Sequence, residues 1–270
     1  MGDTKARAVL IGIGYDIYPA KYQLGENPRN DVKAMSKMLA KHMGIPVAAQ
    51  AIMTDSTPDK PTRPNIKLAC TCLVRNARKG HRGWWHFSGH CEEIEHQGQQ
   101  RPRPEMDNAL ITYELDRVTD EDLREDLVAP LDDTPARLMM TVDACQSGTA
   151  VDAPVNMRID RRTGEFALVG GERNPKPVLD CCVVLISACA DWQTAKNGGR
   201  NDHLGAWTDA FTSIVERGGP EQTIKKIARD VQRYLDTEGI RQDIQISAMR
   251  ASDLDRPLSD FGVKRFDGSS

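Results

Sequence analysis

The sequence predicts an α/β fold with a central, mainly parallel β-sheet flanked by helices on both faces. Short apolar runs of strand length alternate along the chain with stretches of helical periodicity. Several of these runs are almost continuously apolar, which is typical of parallel strands that are buried on both faces. The chain of 270 residues is long enough to bury such a core.

The amino-terminal part alternates strand, helix and strand. Residues 6–14 form an apolar run that predicts a buried strand. Residues 27–42 repeat apolar side chains at helical spacing, and Gly44 is placed to end this helix as a C-cap. Residues 48–53 predict the second strand.

The next segment repeats this order. Residues 65–79 predict a second helix that ends at Gly80. Residues 82–87, rich in aromatic side chains, predict a strand that leads to His90. A polar stretch follows to about Asn108, and we assign no element to it.

The remaining chain contains one long stretch in which no helix or strand is predicted. Residues 153–179 are rich in Pro, Gly and Arg without periodicity, which predicts an exposed loop. The elements predicted around it are a helix at 120–127, strands at 137–142, 182–187 and 243–249, and helices at 204–217 and 221–237.

Two short strings point to catalysis. HFSGH, residues 86–90, ends one predicted strand, and DACQSG, residues 143–148, ends another. Side chains at the carboxyl ends of strands converge in an open α/β sheet. A thiol attacks only as the thiolate, and a nearby histidine lowers its pKa. We therefore predict Cys145 as a nucleophile and His90 as its base.

Three other interpretations of the histidines, cysteines and glycines in this sequence are a structural role, a zinc site and a dinucleotide site. A lone histidine or cysteine is more often a core residue than a catalytic one. His86, four residues before His90, suggests a zinc pair, but no acidic or thiolate set at metal-ligand spacing accompanies it. Gly12 and Gly14 invite a dinucleotide interpretation, but Ile17 occupies the third glycine position, so we favour a tight strand exit.

Composition narrows the class of protein. The formal net charge of −3 gives no basic footprint for nucleic acid, so we expect no nucleic-acid partner. The longest apolar run, residues 181–190, is too short to span a bilayer, and residues 1–6 do not resemble a signal peptide. Seven cysteines, an odd number, do not suggest a disulfide framework. We expect a cytoplasmic monomer without membrane association.

The two strings resemble those of metacaspases, a branch of the caspase-like cysteine peptidases. His90 lies 55 residues before Cys145, and the caspase signature has its histidine about 50 residues upstream of the cysteine. Further similarity lies at residues 8–13, 30–32, 186–189 and 205–208. The resemblance implies one caspase-like sandwich, with a large-subunit-like region at 1–152, an exposed intersubunit-like loop at 153–180 and a small-subunit-like region at 181–270.

The resemblance also implies an endopeptidase for protein or peptide substrates with Arg or Lys at the cleavage site. Asp31, Ser88 and Asp143 match the family's substrate pocket. Asp143 precedes Cys145 by two residues, so both face one side of a strand. A buried carboxylate pair is costly unless a cation neutralises it. Alternatively, Asp31 lies in an acidic first helical turn and Asp143 orients His90.

Calcium is the cofactor that the resemblance implies. Asp152 matches a family ligand position, and Asp107, Asp120 and Glu121 match more loosely. Oxygen ligands from loops are the type that calcium prefers. For Asp120 and Glu121, the charged opening of a helix is an equal alternative.

One residue departs from the family pattern. Backbone N–H groups of Cys91 and Cys145 are expected to bind the oxyanion, but the family has glycine where this chain has Cys91. A side chain there is expected to conflict with a glycine-only backbone conformation. This predicts either reduced activity or a redox-sensitive thiol. The alternative function is therefore a catalytically impaired scaffold that binds a partner.

The stretch of residues 153–179 suggests self-processing. It contains four arginines that an enzyme specific for basic residues would cleave: Arg158, Arg161, Arg162 and Arg173. Exposed loops are where proteolytic nicking concentrates. We expect calcium-stimulated self-cleavage of a zymogen here, with an unprocessed, solvated loop as the alternative.

Overall fold

The structure, a computed structural model, describes residues 7–95, 106–144, 153–169, 179–187 and 203–263, without the side chains of residues 95, 106 and 107. Strands in this part of the chain are β1 (Ala8–Gly12), β2 (Gln50–Thr54), β3 (Arg82–Ser88), β4 (Cys91–Glu95), β5 (Met106–Ile111), β6 (Arg117–Thr119), β7 (Arg137–Asp143), β8 (Val155–Ile159), β9 (Phe166–Leu168), β10 (Cys182–Ser187) and β11 (Gln245–Ala248).

The α-helices of the described chain are α1 (Asn27–His42), α2 (Arg63–Val74), α3 (Asp120–Leu123), α4 (Ala206–Gly218) and α5 (Ile224–Thr237). Threonine side chains fix where three of them begin, because Thr62, Thr119 and Thr223 accept hydrogen bonds from backbone N–H groups of the first turn. A π-helical turn at Arg124–Val128 extends α3. No helix among the described residues combines the length and hydropathy that a membrane crossing requires.

The main sheet has the strand order β2-β1-β3-β7-β10-β11-β8-β9. The first five of these strands are parallel to one another. The last three pair antiparallel at one side of the sheet. This confirms the predicted α/β class with a mainly parallel central sheet.

The prediction of a loop over residues 153–179 is wrong at Val155–Ile159 and Phe166–Leu168, because these residues form β8 and β9. These strands form an antiparallel hairpin at the edge of the main sheet. Val155, Met157 and Ile159 alternate with polar residues along β8 and pack against the core. The hairpin forms because this short alternation buries one apolar side.

A second sheet occupies part of the stretch to which no element was assigned. Strands β4, β5 and β6 pair antiparallel in that order. Leu110 and Val118 are buried on the face of the main sheet that carries α2. The small sheet therefore covers a face that the sequence analysis left to helices.

Two apolar layers enclose the main sheet. Successive side chains of β3 point to opposite faces. Trp84 packs with α1, α4 and α5, with its ring centroid 6.1 Å from that of Phe211. Trp85 and Phe87 pack with α2, the π-helical turn and the small sheet. Helices on both faces hold the parallel strands rigidly, so the carboxyl ends of β1, β3 and β7 form a fixed edge.

Candidate active site

The carboxyl ends of β3 and β7 bring both catalytic strings to one edge of the sheet. Ser88, the last residue of β3, is the register partner of Asp143, the last residue of β7. His90 follows Ser88 by two residues, and Cys145 follows Asp143 by two residues. Cys145 lies outside the described residues, so its contact with His90 stays a prediction.

His90 is half-buried and held by two contacts. Its Nε2 lies 2.8 Å from the carbonyl oxygen of Tyr22. A carbonyl oxygen only accepts hydrogen bonds, so Nε2 of the neutral ring carries the proton and Nδ1 keeps its lone pair. The ring packs on Tyr15, with centroids 4.7 Å apart and planes inclined at 33°. Nδ1 is thus the nitrogen able to act as a base.

Asp31 and Asp143 are almost completely buried beside this edge. Asp31, on α1, accepts hydrogen bonds from Ser88 Oγ at 2.7 Å and from Gly205 N at 2.8 Å. Asp143 Oδ2 accepts two from Thr208, at 3.0 Å from its backbone N and 2.7 Å from its Oγ1. The three predicted pocket residues, Asp31, Ser88 and Asp143, are thus held together by the ends of β3 and β7, by α1 and by the start of α4.

Gly205 lies between the two carboxylates. A Cβ at this position would come within 2.3 Å of Asp143 Oδ2 and 2.9 Å of Asp31 Oδ2. Both distances are too short for non-bonded atoms, so the site requires glycine here. They also show that the two oxygens face the same small space.

Burial perturbs both carboxyl groups. It raises the pKa of Asp143 to about 6, against the opposing effect of the hydrogen bonds from Thr208. Burial and then the negative charge of Asp143 raise the pKa of Asp31 well above its ordinary value. Neither carboxylate has a cationic partner among the described residues. A bound cation would lower the pKa values of both carboxyl groups.

The two alternative roles for these aspartates are not supported. Helix α1 begins at Asn27 and carries no acidic residue in its first turn, so the interpretation of Asp31 as a first-turn charge is wrong. The described contacts of the Asp143 carboxylate are with Thr208. The described contacts of the His90 imidazole are with the Tyr22 carbonyl and the Tyr15 ring.

Cys91 opens β4 in an ordinary extended conformation. The non-glycine residues with positive φ in the described chain are Tyr15, Leu115 and Asp133. The expectation that Cys91 strains a glycine-only backbone is therefore wrong, because a strand accepts any side chain here. Its thiol packs into the apolar layer and is 8% exposed.

The register fixes the direction of the Cys91 N–H. Ile111 N donates to His90 O at 3.0 Å, and Cys91 is opposite Leu110. Hydrogen-bonded and non-hydrogen-bonded pairs alternate in an antiparallel ladder. The N–H of Cys91 accordingly points away from β5, off the outer side of β4. Its role as an oxyanion donor stays a prediction, since the second donor, Cys145, is not described.

Asp120 and Glu121 begin α3, as the structural alternative for them predicted. Asp120 is buried, and its Oδ2 accepts from Asn108 N at 3.2 Å while its Oδ1 accepts from Glu121 N at 2.8 Å. These bonds join the start of α3 to β5, next to the backbone of Asp107. Asp152 lies outside the described residues.

Carboxylate oxygens are suitable donors for calcium, so the chemistry of the predicted ligands fits this ion. The side chains of Asp107 and Asp152 are not described, however. Among the described residues, no group of three or more His, Cys, Asp or Glu is close enough to hold a metal ion. The calcium ligand set therefore stays a prediction.

Arg158 does not lie on an exposed loop. It sits within β8, paired with Gln245 of β11 on one side and Ala167 of β9 on the other. A strand that is hydrogen-bonded on both sides is not accessible to a protease. The expected exposure is therefore wrong for Arg158.

The other predicted processing residues follow β8. Arg161 Nε lies 2.7 Å from Asp243 Oδ1, which ties this residue to the body of the protein. Arg162 is exposed in the turn of the hairpin, where its backbone N donates to Asp160 Oδ1 at 2.8 Å. Arg173 lies outside the described residues. Arg161 and Arg162 are thus both exposed, and an ion pair with Asp243 holds the side chain of Arg161.

His86 is a core histidine rather than a metal ligand. Its ring is completely buried, with Nδ1 3.0 Å from Thr141 Oγ1 and its ring centroid 6.4 Å from that of Trp207. Burial lowers its pKa to about 3, so the ring stays neutral.

Gly12, which ends β1, and Gly14 make a tight strand exit, as predicted. A Cβ on Gly12 would lie 2.2 Å from Pro28 O, and one on Gly14 would lie 2.3 Å from Gly25 O. The close approach of backbone segments explains both glycines without a nucleotide.

Sequence reasoning missed four residues that build the site. Gly205 and Thr208 belong to a string noted only for its resemblance to a family helix, and their contacts with the aspartates join the start of α4 to α1 and to β7. Tyr15 and Tyr22 lie in a segment without periodicity. Nothing in the sequence indicated that a backbone carbonyl would hold the imidazole.

Comparison with known proteins identifies relatives along most of the chain. A profile of the family described as "Metacaspase, peptidase C14 domain" matches residues 6–154. Metacaspase-2 of Trypanosoma brucei brucei is 29% identical over 278 residues, covering 94% of this chain and 76% of that protein. Metacaspase-3 of Arabidopsis thaliana is 30% identical over 229 residues, covering 81% of this chain and 62% of that protein.

Solved structures share the architecture at low sequence identity. Protein GSU0716 from Geobacter sulfurreducens has a TM-score of 0.63 and 16% identity, covering 93% of this chain and 97% of its own. Caspase-1 from Spodoptera frugiperda has a TM-score of 0.51 and 13% identity, covering 97% of this chain and 92% of its own. At these identities the likeness shows the fold alone, and that fold is caspase-like.

Proposed function

The chain belongs to the metacaspase family of C14 peptidases, and from this premise we propose that it is a calcium-stimulated endopeptidase that cleaves after Arg or Lys. Membership makes it a cysteine peptidase that acts on protein substrates. The buried pair of Asp31 and Asp143, which faces one space at Gly205, supports the choice of a basic residue. An acidic substrate side chain would be repelled there.

The reaction is assigned to two side chains. His90 Nδ1 takes the proton of the Cys145 thiol, and the thiolate forms a bond to the carbonyl carbon of the scissile peptide. Backbone N–H groups of Cys91 and Cys145 stabilise the oxyanion. The protonated His90 then gives its proton to the leaving amine as the C–N bond breaks. Water, activated by His90, hydrolyses the thioester and restores the thiol.

The basic side chain of the substrate completes the carboxylate pair. Four hydrogen bonds from described residues hold the two carboxylates in place, and their oxygens keep further lone pairs that can accept from a substrate cation. A guanidinium has five N–H donors in a planar fork, and an ammonium has three. Either cation lowers the raised pKa values by favouring the ionised carboxylates.

A peptidase assay tests this function. Fluorogenic peptides that differ only in an Arg, Lys or Asp before the cleaved bond are compared, with and without calcium. We expect cleavage after Arg and Lys, faster with calcium. Preferential cleavage after Asp would contradict the assignment of the pocket, and an unchanged rate in calcium would contradict the proposed stimulation.

The raised pKa of Asp143 predicts how stability depends on pH. Its pKa is about 6 in the folded protein and 3.8 ordinarily, so stabilisation by protonation is complete below pH 3.8 and is lost as the pH rises through about 6. The ionised group then costs roughly 3 kcal/mol. We expect Asp143→Asn to raise the free energy of unfolding at neutral pH by about 1–3 kcal/mol, measured by urea denaturation.

The advantage of Asp143→Asn should shrink at mildly acidic pH, because the wild-type carboxyl is then protonated. Asp59→Asn, at an exposed position, is the matched control and should change little. If Asp143→Asn were destabilising at neutral pH, the carboxylate would contribute to folding and the argument from burial would fail.

Calcium is also expected to trigger self-cleavage after Arg162, in the exposed turn of the β8–β9 hairpin. Arg158 should stay uncut because β8 is bonded on both sides. Wild type and Cys145→Ala are incubated with calcium, and new amino termini are sequenced. Cleavage after Arg162 or Arg173 in the wild type alone supports self-processing. The same cleavage in Cys145→Ala, or none in either protein, would exclude it.

The alternative of an impaired scaffold depended on strain at Cys91. Because Cys91 has an ordinary strand conformation, no observation now favours that alternative. A well-folded protein that cleaves none of the test peptides in calcium would revive it.

A further inference from the structure

Tyr15 makes an unusual bridge at the residue that carries the predicted base. The His90 backbone N–H donates to Tyr15 Oη at 3.0 Å. The same hydroxyl donates to the carbonyl oxygen of Ile111 at 2.7 Å. Ile111 N donates back to His90 O at 3.0 Å. The three bonds form a closed ring that joins the segment after β1 to the pair of His90 and Ile111, which directly precedes the first pair of the β4–β5 ladder.

The hydroxyl takes the place of a ladder bond. Cys91 is opposite Leu110, so His90 is opposite Ile111 in the same register. A hydrogen-bonded antiparallel pair normally exchanges two direct bonds. Here one of the two is direct, from Ile111 N to His90 O, and the other passes through Tyr15 Oη. The tyrosine therefore acts as a wedge that sets the separation of the strands at His90.

The aromatic ring of Tyr15 contacts the same residue. It packs against the imidazole of His90 with centroids 4.7 Å apart. A Cβ at Gly89 would lie 3.0 Å from Tyr15 Oη and 2.8 Å from Phe87 Cζ, so the turn before His90 is packed closely on the wedge. Tyr15 thus contacts His90 through both its backbone and its ring.

The backbone of Tyr15 is itself strained. Its φ is 58°, in the left-handed region that bulky side chains rarely adopt. Such outliers persist only where surrounding contacts determine them, and they concentrate at functional sites. The side chain is completely buried at the exit of β1, where Leu24 N donates to Gly14 O at 2.9 Å and closes the turn.

We propose that Tyr15 is a positioning residue for catalysis, which fixes the imidazole of His90 and the first peptide of β4 through its hydroxyl wedge. This inference rests on the proposed function, since it takes His90 as the base. Tyr15 does not contact the reacting atoms in this assignment. Its effect is to hold His90 between the Tyr15 ring and the Tyr22 carbonyl, which leaves Nδ1 as the nitrogen that can accept a proton.

Tyr15→Phe removes the hydroxyl and keeps the ring. The His90 N–H and the Ile111 carbonyl then lose their shared partner, and the strands shift to restore a direct bond or admit water. A displacement of about 1 Å in a catalytic group lowers the rate up to about 100-fold. We expect kcat to fall about 10- to 100-fold while KM for an Arg peptide stays within about twofold.

Tyr234→Phe is the matched control. Tyr234 is also largely buried, and its hydroxyl donates to Asp209 Oδ2 at 2.8 Å between α4 and α5. Removing this hydroxyl leaves another buried polar group with one donor fewer. Asp209 follows Thr208 and its charge acts on Asp31, so any effect of this variant on activity falls on KM for Arg peptides. We expect Tyr234→Phe to lower stability by a similar amount but to keep the wild-type kcat.

A second readout avoids the substrate. The rate at which iodoacetamide alkylates Cys145 reports how well the imidazole supports the thiolate. We expect Tyr15→Phe to slow this alkylation and Tyr234→Phe to leave it unchanged. In the wild type, hydrogen exchange of the His90 amide should be slow, which tests the wedge even if Tyr15→Phe does not fold.

The outcomes separate this inference from the proposed function. Wild-type kcat and alkylation rate in folded Tyr15→Phe, or equal losses in Tyr15→Phe and Tyr234→Phe, would overturn the positioning role. Fast exchange of the His90 amide in the wild type would overturn the wedge itself. Activity that survives in Cys145→Ala in the same assay would instead overturn the proposed function.

Discussion

Cys145→Ala is expected to abolish peptide cleavage, and His90→Ala should lower kcat almost as far. A nucleophile and its base act as a unit, and loss of either removes about 10⁴- to 10⁶-fold of the rate. His90 follows Ser88, and Cys145 follows the register partner of Ser88, by two residues each. The measurement is kcat for an Arg peptide in calcium.

Cys72→Ala is the matched control for the nucleophile. Cys72 is a partly buried thiol on α2, outside the predicted site, so its replacement should leave kcat unchanged. Far-UV circular dichroism and urea denaturation establish that the inactive variants fold. If Cys145→Ala kept more than about one hundredth of the wild-type kcat, the nucleophile would be another residue.

Asp31→Asn should cause the second largest loss. Removing one partner of a buried charge pair costs about 2–5 kcal/mol, which corresponds to roughly 30-fold to several thousandfold in kcat/KM for Arg peptides. In Asp31→Asn the amide oxygen still accepts from Gly205 N, and the amide NH2 donates to Ser88 Oγ, so both contacts are kept with the direction of the Ser88 bond reversed. The loss therefore reports the charge. A parallel fall for a peptide with a neutral side chain would contradict this explanation.

Gly205→Ala tests the space between the Asp31 and Asp143 carboxylates by placing a methyl group in it. Its Cβ would collide with Asp143 Oδ2 at 2.3 Å, so the carboxylates must move apart or rotate. We expect a loss for Arg peptides comparable to that of Asp31→Asn, with the His90–Cys145 chemistry intact. Alkylation of Cys145 at the wild-type rate would show that the chemistry is retained.

The parallel core could be predicted from the sequence because its strands are long and continuously apolar. The runs before His90 and Cys145 became β3 and β7 at nearly the predicted bounds. Burial on both faces leaves no ambiguity about which residues belong to such strands.

The two antiparallel additions were missed for a physical reason. Strands β6 and β9 have three residues each, three of the five residues of β8 are only partly buried, and two of the three residues of β9 are exposed. Short strands at a sheet edge need few apolar side chains, so Pro and Gly in the flanking chain dominate the sequence signal. The alternation of Val155, Met157 and Ile159 with polar residues is the sequence signal that indicated β8.

Only part of the candidate site could be predicted from the sequence. Asp31, Ser88 and Asp143 were predicted from a resemblance, and the structure places them around one space. Their partners from α4 could not be predicted, because contact between residues 31 and 205 depends on the packing of α1 against α4. Periodicity and spacing along the chain carry no information of that kind.

In the proposed function, a buried carboxylate pair selects a cationic substrate side chain for a cysteine nucleophile. The most direct measurement compares kcat/KM for peptides that carry Arg or citrulline before the cleaved bond, because citrulline has nearly the same shape without the charge. We expect Arg to be preferred by roughly 30-fold or more in the wild type, and Asp31→Asn to remove most of that preference. Equal cleavage of the two peptides by the wild type would contradict the account.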